Sequence, residues 1–195
     1  MSIKQSIMKM LYPFVMRLSG IMGRKKHKKN PGQIIPPVSL YQLEAQLLNG
    51  DRFSFNAFKG KKILIVNTAS NCGYTDQLNA LNQLFEKKKD QLMIIAFPSN
   101  DFKEQEKGSN EEVAQFCTTF YQLKFPVAKK TVVSTSPQQH PLYAWLTNKE
   151  LNGWNEQAPS WNFSKYLINE AGMLTDYFDP GFDPAGSEIA LAINT

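Results

Sequence analysis

Two runs of apolar residues too dense to alternate, Ile63-Leu64-Ile65-Val66 and Leu92-Met93-Ile94-Ile95-Ala96-Phe97, constrain this chain more than any other feature. A strand that is apolar at every position has to be buried on both faces, and an amphipathic helical pattern follows each run to cover it. The expected fold class is α/β, a central sheet flanked by helices. Strands are expected at 61–69, 91–97, 161–169 and 173–178, and helices at about 75–88, 110–121, 138–148 and 185–193. The turn at Ala171-Gly172 joins the last two strands as a hairpin, which makes the sheet mixed rather than purely parallel. Ahead of it, Leu40 to Phe55 reads as an N-terminal β-hairpin around Asn49-Gly50, a dipeptide whose residues both tolerate positive φ. At 195 residues and 42% hydrophobic, the chain is long enough for one well-buried domain and short for two.

The formal charge of +5 belongs to one end of the chain. Residues 1–30 hold eight Lys or Arg and no acid, whereas residues 31–195 hold fourteen bases against seventeen acids. The globular part is mildly acidic, which argues against a nucleic-acid-binding face. Within the first segment, Ile3, Ile7, Leu11, Phe14, Val15, Leu18, Ile21 and Met22 share one helical face and Gln5, Ser6, Lys9 and Gly20 lie opposite, with Arg17 at the margin and Lys4 and Met16 breaking the stripe. Lys9, Pro13 and Arg17 interrupt any run of membrane-spanning length, and no small-residue cleavage site follows. The run Arg24-Lys25-Lys26-His27-Lys28-Lys29 adds attraction to anionic lipid, roughly 1 kcal/mol per basic residue. The expected organisation is an amphipathic, basic extension over 1–30, a linker over 31–37 marked by Pro31, Gly32, Pro36 and Pro37, and a domain over 38–195. A cytoplasmic protein with peripheral membrane contact through residues 1–29 is expected; a flexible basic tail and an atypical export signal remain open.

Cys72 lies where the first apolar run hands over to a helix, in Asn67-Thr68-Ala69-Ser70-Asn71-Cys72-Gly73-Tyr74-Thr75. Unpaired N–H groups and the helix dipole favour a thiolate there, although a buried cysteine can also simply fill a core. Thr75 stands where a Cys-x-x-Cys dithiol would need its second cysteine. The other cysteine, Cys117, shares a helical face with Val113, Phe116 and Phe120, where it reads as an apolar filler. The 45-residue separation does not fit a zinc-ligand pair, and two histidines, His27 and His140, are too few for a His-based metal cluster.

Three further blocks recur in order: Phe97-Pro98-Ser99-Asn100-Asp101-Phe102, then Gln105-Glu106, then Trp161-Asn162-Phe163. Together with the Cys72 segment they closely resemble the glutathione peroxidase family over about residues 38–193. The resemblance implies a thioredoxin-like fold in which Cys72 is the peroxidatic residue and Gln105, Trp161 and Asn162 complete a catalytic tetrad. Amide and indole N–H donors can hydrogen-bond a thiolate and lower its pKa without a fixed cation, and can stabilise the leaving oxygen of a peroxide. Cys117, shortly before Phe125-Pro126, resembles the resolving cysteine of thioredoxin-dependent members, so the helix around it is expected to unwind during turnover.

The implied activity is reduction of hydrogen peroxide and organic or lipid hydroperoxides through a Cys72 sulfenic acid, resolved by Cys117 and recycled by thioredoxin, with no metal or organic cofactor. Two alternatives stay open: a glutathione-dependent peroxidase with a structural Cys117, and a non-catalytic peroxide sensor or membrane-tethered interaction protein. Ser99 stands where many non-selenium relatives carry another cysteine, and Lys103-Glu104 replaces a common Gly pair. The stretch between Pro141 and Trp161 is too short for the loop through which tetrameric relatives associate, which resembles the monomeric branch.

Overall fold

The structure, a computed structural model, describes residues 26–195. The stripe at 3–22, with its reading as an anchor, lies outside the described residues. Among the described residues the strands are β1 (His27–Lys29), β2 (Glu44–Gln46), β3 (Arg52–Ser54), β4 (Lys62–Thr68), β5 (Leu92–Pro98), β6 (Lys165–Ile168) and β7 (Leu174–Phe178). The helices are α1 (Gln77–Lys88), α2 (Asn110–Phe116), α3 (Pro141–Leu146), α4 (Lys149–Asn152) and α5 (Ser187–Asn194). β2 and β3 pair as the expected hairpin, with Gly50 at φ +92° in its turn.

The main sheet has the order β1-β7-β6-β4-β5, parallel between β4 and β5 and antiparallel elsewhere. Its two faces divide by the period of two that strands impose. Ile63, Ile65, Ile95 and Phe97 pack with Tyr143 and Trp145 of α3, while Leu64, Val66, Ile94 and Ala96 pack with Leu78 and Leu81 of α1 and Ile189 and Ile193 of α5. Every residue of β4 is buried, as its unbroken apolar run requires. No helix among the described residues is long and apolar enough to cross a membrane.

The strand expected over 161–169 begins only at Lys165, with Trp161 and Asn162 in the turn before it, and two further elements depart from the sequence reading. Residues 27–29, assigned to the basic extension, form the edge strand β1, in register with Asp176, Tyr177 and Phe178 of β7. His27 anchors this strand: its ring stacks on Phe178 at 4.2 Å, and its Nε2 lies 2.8 Å from Asp176 Oδ1. The helix expected over 110–121 is α-helical only to Phe116 and continues as a π-helical turn over Cys117–Tyr121.

Candidate active site

β4 delivers the chain at Thr68 to a tight loop that leads into α1. Thr75 closes the loop: its hydroxyl oxygen accepts the Cys72 N–H at 3.1 Å and lies 2.7 Å from the Cys72 carbonyl and 3.0 Å from that of Ala69. Glu106, only 2% exposed, accepts both the Ser70 N–H (2.8 Å) and the Ser70 hydroxyl (2.6 Å). The Asn71 N–H donates to the Gln105 carbonyl at 3.1 Å. The loops of Cys72 and Gln105 are thereby one hydrogen-bonded unit. Burial pushes the Glu106 carboxyl above its ordinary value, against the Ser70 hydrogen bonds and the nearby Lys130 ammonium.

The loop after β5 is fixed from within. Asn100 Oδ1 accepts the Glu106 N–H at 2.9 Å, and Asp101 Oδ2 accepts the Val133 and Ser134 N–H groups, each at 2.7 Å. Lys103 and Glu104 lie at φ +50° and +51°, a left-handed conformation that favours glycine and that side-chain-bearing residues seldom adopt.

Trp161 and Asn162 sit on the turn entering β6. Asn67 holds that turn from β4, donating its Nδ2 to the Trp161 carbonyl (3.1 Å) and accepting the Phe163 N–H at its own carbonyl (2.6 Å). Phe163 is at φ +70°, and the buried Lys165 ammonium donates to its carbonyl at 2.8 Å. Asn162 Nδ2 donates to Gln105 Oε1 at 3.0 Å, and the Trp161 ring lies 5.5 Å from that of Phe102. The structure thus brings Cys72, Gln105, Trp161 and Asn162 to one end of the sheet.

At Cys72 Sγ the balance differs from the sequence expectation. Burial raises the thiol pKa, and the opposing donors do not reverse it: the Tyr74 N–H at 3.5 Å, the Trp161 and Asn162 side chains, and the Gly73 N–H. Gln105 reaches the sulfur through Asn162, its Oε1 being the acceptor.

Cys117 is a free thiol, as is Cys72, and burial, together with the Glu106 charge, pushes it up to about 12. It is 9% exposed and lines a groove of about 500 Å³ with Leu47, Thr118, Leu123, Phe125 and Val127, a lining that includes no residue of the Cys72 loop. The sequence reading missed the positioning residues Thr75, Glu106, Asn67 and Lys165. Three of them stand inside the quoted motif blocks, where a buried carboxylate and a threonine at helix entry were the signals available.

The family model described as glutathione peroxidase matches residues 40–147. A glutathione peroxidase homolog BsaA of Staphylococcus epidermidis is 42% identical over 147 residues, 75% of this chain and 92% of that one. The glutathione peroxidase of Lactococcus lactis is 38% identical over 152 residues, 77% of this chain and 96% of that one. Among solved structures, Trgpx in its apo form is 29% identical with a TM-score of 0.62, covering 82% of this chain and 97% of that one.

Proposed function

The chain belongs to the glutathione peroxidase family, with a thioredoxin-like fold and a peroxidase role, and on that premise we propose a two-cysteine cycle run by thioredoxin. The Cys72 thiolate attacks the terminal oxygen of the hydroperoxide, the O–O bond breaks, and water or an alcohol leaves after taking a proton. The Cys72 sulfenic acid then condenses with the Cys117 thiol, releasing water and forming a disulfide, which a dithiol of the thioredoxin kind reduces. Trp161 and Asn162 donate toward the sulfur and the developing oxyanion, and Gln105 orients Asn162.

The observation that carries this reading is the convergence on Cys72 of Trp161 and Asn162, with Asn162 tied to Gln105 at 3.0 Å. Asn162 Oδ1, buried with no hydrogen-bond partner among the described residues, is an acceptor available to a hydroperoxide O–H. The protein acts as a monomer and makes peripheral contact with membranes through the basic, amphipathic segment ahead of β1, on the cytoplasmic side.

Cys72→Ser abolishes peroxide consumption. Cys117→Ser keeps one stoichiometric oxidation and loses thioredoxin-driven turnover by at least about a hundredfold. Full thioredoxin-driven turnover in the Cys117 variant would overturn the resolving role; efficient turnover of that variant with glutathione alone would favour the glutathione-dependent alternative.

A further inference from the structure

The loop that carries Gln105 has an uncommon backbone. Lys103 and Glu104 are successive non-glycine residues in the left-handed region, at φ +50° and +51°. Two such residues in a row, next to a candidate site residue, mark a shape that the surrounding bonds impose. The Gln105 N–H donates to the Phe102 carbonyl at 3.3 Å, the Glu106 N–H to Asn100 Oδ1 at 2.9 Å, and the Asn71 N–H of the Cys72 loop to the Gln105 carbonyl at 3.1 Å. In this conformation the Lys103 side chain lies against the Trp161 ring, its ammonium 5.8 Å from the ring centroid, while Phe102 packs on the same indole at 5.5 Å.

The acids of the neighbouring loops have other partners. Glu104 pairs with Lys107 at 2.7 Å, and Glu106 accepts both hydrogen bonds from Ser70. Asp101 accepts from the Val133 and Ser134 N–H groups, and Asp76 from the Tyr121 hydroxyl. Among the described residues, Lys103 forms no ion pair. An exposed ammonium thus stands beside two partly exposed aromatic rings, Phe102 and Trp161, at the rim of the Cys72 site. The Trp161 side chain also donates toward the Cys72 sulfur, which puts the ammonium on the order of 12 Å from Sγ at most. A medium-length acyl chain with a hydroperoxide near one end and a carboxylate at the other spans that distance.

We propose that Lys103 is a specificity-determining residue: it pairs with the carboxylate of medium-chain fatty-acid hydroperoxides, while the Phe102 and Trp161 rings take up the hydrocarbon between that carboxylate and the peroxide. The inference deepens the peroxidase reading and rests on Cys72 as the oxidised thiol. The thiolate attacks the terminal oxygen, the O–O bond breaks, and the product alcohol, keeping its carboxylate, leaves after taking a proton. A neutral hydroperoxide undergoes the same reaction without the charge contact, so Lys103 sets the preference between the two.

The test uses the reduced full chain and two probes that differ in charge, the ω-hydroperoxide of hexanoic acid and its methyl ester. Rapid-quench mass spectrometry gives the second-order rate constant for Cys72 oxidation by each. The acid-to-ester ratio of rate constants is expected to fall about two- to fivefold in Lys103→Met, the size of one exposed ion pair, and to be retained in Lys103→Arg. In the unaltered protein the same ratio should shrink as the ionic strength rises from about 0.02 to about 0.5 M. Both replacements keep a long side chain in the left-handed conformation, so the ratio reports charge rather than backbone strain. A ratio unmoved by Lys103→Met, including one preserved while both rate constants fall together, overturns the role of Lys103 and leaves the peroxidase reading standing; so does an equal fall in Lys103→Arg, or a ratio insensitive to salt. Consumption of either probe by Cys72→Ser protein overturns Cys72 as the oxidised thiol, and the role of Lys103 with it.

Discussion

At the scale of single residues, Cys72 was identifiable as the reactive candidate, but its protonation state was not. Donors can be anticipated from motif residues, because each brings a known N–H; desolvation depends on how completely the later segments cover the sulfur. Here covering wins, and the Cys72 pKa stands above its ordinary value despite four donors. The sign has a kinetic consequence, since only the thiolate attacks. With the neutral thiol favoured, the rate constant for the first oxidation rises about tenfold per pH unit across the neutral range, still climbing at the pH where an ordinary thiol levels off. Stopped-flow oxidation by hydrogen peroxide from pH 6 to 9, at low peroxide, measures this; a plateau below about pH 8 would show that the donors win in solution. Glu106 was hidden for a related reason. An acid in a charged loop reads as solvated until the structure shows Ser70 satisfying both of its oxygens.

Among the elements, the apolar strands and their order were legible because every residue of β4 is buried, and the period of a doubly covered strand is unambiguous. The segment after Phe116 was not, because the 3.6-residue period that groups Cys117 with Phe120 assumes an α-helix to the end. The wider π turn breaks that grouping: Cys117 stays buried, Phe120 swings out to 72% exposure, and the turn ends at Gln122 with φ +46°. The turn is held by the Tyr121 ring against Phe116 at 5.4 Å and by side-chain hydrogen bonds. The Tyr121 hydroxyl bonds Asp76 Oδ1 at 3.2 Å, joining it to the start of α1, and Thr118 caps back on the Ala114 carbonyl at 2.8 Å. If Cys117 must leave its buried site to meet Cys72, the Tyr121–Asp76 contact resists that movement. Tyr121→Phe removes a contact worth about 1 kcal/mol and is expected to speed disulfide formation about fivefold. The first oxidation should be unchanged, and rapid-quench mass spectrometry resolves the two steps. A slower second step would mean that the π turn assists the approach of Cys117 rather than restraining it.

For the whole molecule, the sequence placed the domain boundary at the Pro-rich linker, and residues 26–30 argue for an earlier one. A strand of three residues, two of them lysines, has no periodicity to detect; what makes it a strand is a partner edge more than 140 residues away. Its contribution is concrete. Besides the ladder to β7 it supplies the His27–Phe178 stack, the His27–Asp176 contact and the paired bonds between Lys26 and Asp179. A ring stack, the partly buried His27–Asp176 contact and the more exposed Lys26–Asp179 pair amount to about 2–3 kcal/mol. A chain beginning at Pro31 should therefore melt roughly 4–10 °C below one beginning at Lys26. It should also bare the N–H and C=O groups of β7, an edge that lacks the two exposed lysines which blunt β1, and so associate at concentrations where the longer chain does not. Thermal unfolding and sedimentation of the two chains measure both effects. Coincident melting and the same monomeric sedimentation would show that the fold ends at β7 and that the basic segment merely rests upon it.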